Sequence, residues 1–120
     1  MKGHLLPASP AQDDVDRITE VFRALADPTR LRLVLHLSHG ESNVSGLVAA
    51  LGLPQSTVSR HLATLRAAAL VEGESRGTSV VYRLAGPHLH DLLLEAFSHA
   101  EHERQDAART VRADAASVAR

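Results

Sequence analysis

"LVAALGLPQSTVSRHLATLRAAALV" occupies residues 47–71. Two apolar-periodic segments flank Gly52. The first begins near Val44 and places Leu47 and Leu51 on one face. It closes at Gly52, a residue suited to the left-handed conformation that ends many helices. The second begins at Pro54 or Gln55, and proline is tolerated at a helix start because its missing N–H has no intrahelical use there. Val58, Leu62 and Leu65 recur at helical spacing and form its inner face. Gln55, Ser56, Ser59, Arg60, Ala63 and Arg66 take the other face. A short helix, a tight turn and a longer helix with a polar outer face make a helix-turn-helix.

Working outward, "ADPTRLRLVLHLSHG" (26–40) predicts a helix capped by Asp27, with Pro28 at its first position and Gly40 at its end. Leu31, Val34, Leu35 and Leu37 supply its apolar face. Before it, Val15, Ile18, Val21, Phe22 and Leu25 give a helix from about Asp13, with Asp13, Asp14 and Asp16 at the end where the dipole favours anions. After residue 69 the period changes to that of strands. Leu70–Ser75 and Ser79–Leu84 read as a hairpin with Gly77 in the connection and Arg76 near the tip. "GPHLHDLLLEAFSHAEHE" (86–103) is a last helix opened by Pro87. The fold expected is mainly α with a small β-hairpin, in the order α-α-α-α-β-β-α. Residues 1–11 read as a loose arm, 12–103 as one domain and 104–120 as a polar tail that either prolongs the last helix or frays.

The chain has 120 residues and a formal net charge of −1, so nothing global advertises nucleic acid. Aromatics make up 2%, so the core must be built from Leu, Val and Ala. There is no cysteine, which excludes disulfides, thiolate metal sites and thiol redox sensing. No apolar run approaches the roughly 20 residues of a membrane span, and the N-terminus lacks a signal peptide's apolar stretch. The expectation is a cytoplasmic protein with no membrane partner.

The second helix of the helix-turn-helix can project Gln55, Ser56, Thr57, Ser59, Arg60 and His61 toward double-stranded DNA. Gln and Arg suit bidentate contacts to base edges, and Ser and Thr suit bases or phosphates. Arg66, Arg76 and Arg83 are placed to meet the backbone, the last two on a wing. His36 and His39 read as helix-end or surface residues.

"LADPTRLRLVLHL", "LVAALGLPQSTVSRHLATLRAAALV" and "GTSVVYRL" resemble the ArsR/SmtB family of metal-responsive winged-helix repressors over about residues 15–102. The resemblance implies a homodimer pairing through its first and last helices, and operator binding that metal weakens. The family's cysteine site before the turn is absent, since the corresponding stretch is "ESNVSGLV".

In the last helix, Leu89, Leu92, Leu93, Ala96, Phe97 and Ala100 form one stripe suited to dimerisation. His88, Asp91, Glu95, His99 and His102 lie beside it. His99 and His102 share a face. His88 lies within about 20° of His99 around the axis, yet about 16 Å from it along the axis. Metal–imidazole bonds are about 2 Å long, so one helix cannot bring all three to one ion. An antiparallel partner can, and a dimer then makes two sites by symmetry.

The spacing matches the family's last-helix pattern of Asp-x-His, ten residues, His, two residues, then Glu or His. Gly86 stands where the family has Asp. Asp91 is the first candidate to replace that carboxylate, ahead of Glu101, His90, His4 or water. Imidazole and carboxylate without thiolate suit zinc, nickel or cobalt. A second expectation is a winged-helix regulator that has lost or altered metal sensing and answers to a protein partner. No general base stands beside the histidines in any specific pattern, so an enzyme is not expected.

Overall fold

A computed structural model describes residues 5–118, so His4 lies outside the described residues. The chain divides into two compact units, 1–85 and 86–120. In the first unit, α1 (Gln12–Leu25), α2 (Pro28–Ser38), β1 (Ser42–Asn43), α3 (Val44–Leu51), α4 (Gln55–Ala67), β2 (Val71–Arg76) and β3 (Ser79–Leu84) follow in order. The second unit is one helix, α5 (Pro87–Val118).

Capping sets the helix starts. The Asp27 carboxylate accepts from the Arg30 backbone N–H at 2.9 Å, and Asn43 Oδ1 accepts from the Gly46 N–H at 2.8 Å. Each satisfies an N–H that has no intrahelical partner. The Arg30 bond holds the Asp27 carboxyl below its ordinary value. The end of α3 needs a left-handed residue, and Gly52 supplies it at φ 66°.

The end of α4 makes the same demand without a glycine. Ala69 takes φ 60°, the only non-glycine at positive φ among the described residues. The Leu70 N–H donates to Leu65 O and the Ala69 N–H to Arg66 O, both at 2.9 Å. That pair of bonds is a Schellman motif. It consumes Leu70 in the helix cap, which is why β2 begins at Val71 rather than at Leu70.

The sheet has three antiparallel strands in the order β1-β3-β2. Arg76 pairs with Ser79 across a two-residue turn. Gly77 at φ 62° takes the first central position, as a type II′ turn requires. The expected hairpin is therefore joined by a strand absent from the sequence reading: Ser42 pairs with Tyr82 and Asn43 with Val81. Gly73 faces this ladder so closely that an added Cβ would stand 3.1 Å from Tyr82 Cε1 and from Val80 Cγ1.

Leu33 and Val34 of α2, Leu47 of α3, and Val58 and Leu65 of α4 are fully buried at 0% exposure. Leu62 follows at 1%. These aliphatic side chains lock the helix-turn-helix against α2. In α1, Ala24 is buried while Val15, Ile18 and Phe22 are exposed at 38%, 54% and 54%. Such apolar exposure on one face marks a surface that another element can cover.

Along α5 the helix continues past Glu103 to Val118, which resolves the open reading of residues 104–118 in favour of helix. Its buried side chains are Leu89 and Leu93, while Leu94 and Phe97 are exposed. No helix among the described residues is long and apolar enough to cross a membrane.

Candidate nucleic-acid interface and histidine helix

The recognition face follows from how α4 is seated. Val58, Leu62 and Leu65 point inward, which turns Gln55, Ser56, Ser59, Arg60 and Arg66 to solvent. Thr57 and His61 lie between the faces and are half-buried. His61 points toward α2, where its Nδ1 stands 3.4 Å from Arg30 Nη1. Arg30 and its partners were not singled out from the sequence. The available signal was local: a charged side chain three residues after the Asp27 cap.

Arg76 does not extend freely from the wing. Its Nη1 donates to Glu41 Oε1 at 2.6 Å and its Nη2 donates to Glu74 Oε1 at 2.8 Å. Arg83 binds the same Glu74 carboxylate at 3.0 Å and reaches Glu72 at 3.3 Å. The bonds from Arg76 and then Arg83 hold the Glu74 carboxyl below its ordinary value. Glu41 and then Glu74 raise the already high pKa of Arg76, which stays charged throughout. A phosphate can reach these two guanidiniums only by competing with carboxylates. Among the described residues no carboxylate forms an ion pair with Arg60 or Arg66. Among the described residues, the candidate interface therefore carries cations without an ion-pair partner on α4, at Arg60 and Arg66.

On α5, His88, His90, Asp91, His99, Glu101 and His102 are all exposed. The His99 imidazole lies 3.8 Å from Glu103 Oε1, one turn further on. Among the described residues no three His, Asp or Glu side chains converge as a metal cage within one chain. Asp91 is one turn beyond His88, so a carboxylate and an imidazole share that part of the helix. Exposed imidazoles with a nearby carboxylate and no thiolate fit a borderline divalent ion. Gly86 adopts φ +101° with open space around it. That conformation resists L side chains, so an aspartate at this position would be strained.

Three comparisons bear on this arrangement. The model of the bacterial regulatory protein arsR family matches residues 27–72, the span from the α2 cap through the recognition helix into the wing. The HTH-type transcriptional repressor SmtB of Mycobacterium tuberculosis is 46% identical over 94 residues, covering 78% of this chain and 70% of that one. The HTH-type transcriptional regulator NmtR of the same species is 37% identical over 103 residues, covering 85% and 86%. Among solved structures, a homodimeric winged helix-turn-helix DNA-binding domain of Mycobacterium bovis, a possible ArsR-family regulator, superposes with a TM-score of 0.74. Its identity is 28%, and the match covers 83% of this chain and 95% of that domain. Sequence relatives, family model and winged helix-turn-helix architecture agree: the chain belongs to the ArsR family of DNA-binding transcriptional regulators and is not an enzyme.

Proposed function

We propose that this regulator is a cytoplasmic homodimeric repressor whose operator affinity is lowered by zinc, nickel or cobalt held between the last helices of two chains. The observation that carries the reading is the placement of His88, His99 and His102, all exposed on one helix. Within a chain His88 cannot join His99 and His102, because about 16 Å of helix separates it from His99. His88 and Asp91 of one chain would meet His99 and His102 of the other. The bound ion would supply a rigid link between the two last helices.

The remaining work falls to the chain's own side chains. The imidazoles must be neutral to act as ligands, so protons compete with metal and affinity weakens as pH falls. Gln55, Ser56, Thr57, Ser59 and Arg60 are the base-reading set, and His61 borders it. Arg66 and Arg76 contribute backbone contacts. Phe22 and Ile18 of α1, with Leu94 and Phe97 of α5, offer exposed apolar surface for dimerisation. If metal lowers operator affinity, operator must lower metal affinity by the same factor.

The test is a titration of Zn²⁺, Ni²⁺ and Co²⁺ against affinity for a duplex enriched from a random-sequence pool by the apo protein. A drop in affinity with one of these ions is expected. Indifference to all three would favour a second reading, supported by the conformation of Gly86: a winged-helix regulator with altered or lost metal sensing that responds to a protein partner.

A further inference from the structure

Arg30 and His61 are 31 residues apart in sequence and meet between α2 and the recognition helix. The same guanidinium reaches a third element. Arg30 Nε donates to the carbonyl oxygen of Ala24 at 2.6 Å, and Nη2 donates to that of Arg23 at 3.4 Å. Both carbonyls belong to the last turn of α1; the Arg23 oxygen already accepts from the Ala26 N–H at 3.3 Å, and the Ala24 oxygen is one that the helix end leaves without a backbone donor. The Arg30 backbone is itself fixed, since its N–H is the one that caps onto Asp27. Arg30 and His61 are both half-buried. One side chain therefore ties the end of α1, the start of α2 and the middle of α4.

The chemistry of the contact is directional. A guanidinium has only donors, so the contact is a hydrogen bond in the tautomer whose Nδ1 is free to accept. The Nδ1 edge of the imidazole is thus turned toward Arg30. Its neighbours Ser59 and Arg60 are exposed.

We propose that Arg30 and His61 are positioning residues for DNA recognition. The guanidinium sets the orientation of α4 relative to α1 through the His61 imidazole, and His61 acts on affinity through Arg30 without touching DNA. Bidentate base contacts tolerate little angular error, so a recognition helix released from this tie loses affinity even while the fold persists. The inference rests on DNA binding and is independent of the metal reading.

The experiment is a double-mutant cycle on operator affinity, using a duplex enriched from a random-sequence pool by the wild-type protein. Wild type, Arg30→Ala, His61→Leu and the double variant are compared by fluorescence anisotropy, with thermal melts to verify folding. Each single change is expected to weaken binding about tenfold, and the double change about as much as either alone. His61→Asn carries an acceptor oxygen where Nδ1 stands and is expected to recover most of the affinity. The salt dependence of Arg30→Ala is expected to match wild type, because no phosphate contact is lost. Should Arg30→Ala fail to fold, Arg30→Gln takes its place in the cycle. Additive losses, failure of asparagine to rescue, or a salt slope reduced by about one phosphate contact would each overturn the proposal.

Discussion

Arg76 Nη1 lies 2.6 Å from Glu41 Oε1, so the outer end of the wing is tied to the loop that follows α2. Glu74 completes the clasp by binding both Arg76 and Arg83. The Glu74 carboxyl is held below its ordinary value of 4.5. A depressed carboxyl contributes stability above its unfolded pKa and loses it as pH falls through the folded one. The Glu74 arm of the clasp therefore stays closed at neutral pH and opens only in acid.

Glu74→Gln should release part of the charge of Arg76 and Arg83 toward DNA. The expected outcome is tighter binding to duplex DNA and a steeper dependence on salt, by up to about 0.9 in log–log slope for each phosphate gained. Anisotropy titrations at several salt concentrations check this. An unchanged slope would mean that the wing arginines take no phosphate.

Ala69→Gly should stabilise the protein. Ala69 holds a left-handed conformation at the end of α4, which costs an L residue about 1 kcal/mol or more that glycine avoids. The gain is read as a rise in the chemical-denaturation midpoint, and a fall in the midpoint would contradict the cap geometry.

Arg60→Ala should weaken binding to the selected duplex by about 1–3 kcal/mol, the worth of one bidentate base contact. The melting temperature should barely move, since Arg60 is exposed. Full affinity in the purified variant would remove Arg60 from the base-reading set.

The parts legible in the sequence are those with a local cause. Asp27 with Pro28, and Gly52 after Leu51, marked helix boundaries because caps and left-handed turns have residue preferences. Val58, Leu62 and Leu65 marked the buried face of α4 because periodicity reports burial. What was hidden depends on distant partners. β1 is two residues long and exists only because β3 lies beside it. Arg76 looked like a free wing-tip cation, since its partner Glu41 is 35 residues away. His61 was read among the side chains projected toward DNA, because its partner Arg30 lies 31 residues away. The run "AAALV" offered no glycine at the end of α4, so the strand was drawn one residue early. Beyond Glu103 no apolar ladder demands a helix, and the Ala-rich composition left both outcomes open.

Gly86→Asp, which restores the family's usual residue, should destabilise the protein by about 1–3 kcal/mol, the ordinary cost of a strained backbone conformation. The strain follows from φ +101° at this position. Asp91→Ala should instead weaken metal binding while leaving apo DNA affinity intact. Thermal melts and metal titrations separate the two effects, and normal metal affinity in Asp91→Ala would move the carboxylate role elsewhere.

Each proposed metal site is built from two chains. The most direct measurement is metal stoichiometry in a heterodimer of one chain carrying His88→Ala and another carrying His99→Ala with His102→Ala. If ligands come from both chains, the two damaged halves fall at the same site and the other site remains whole. One tight equivalent of metal per heterodimer is expected, against two in the wild-type homodimer. A heterodimer that binds no tight metal would place the ligands within single chains and rule out the two-chain site.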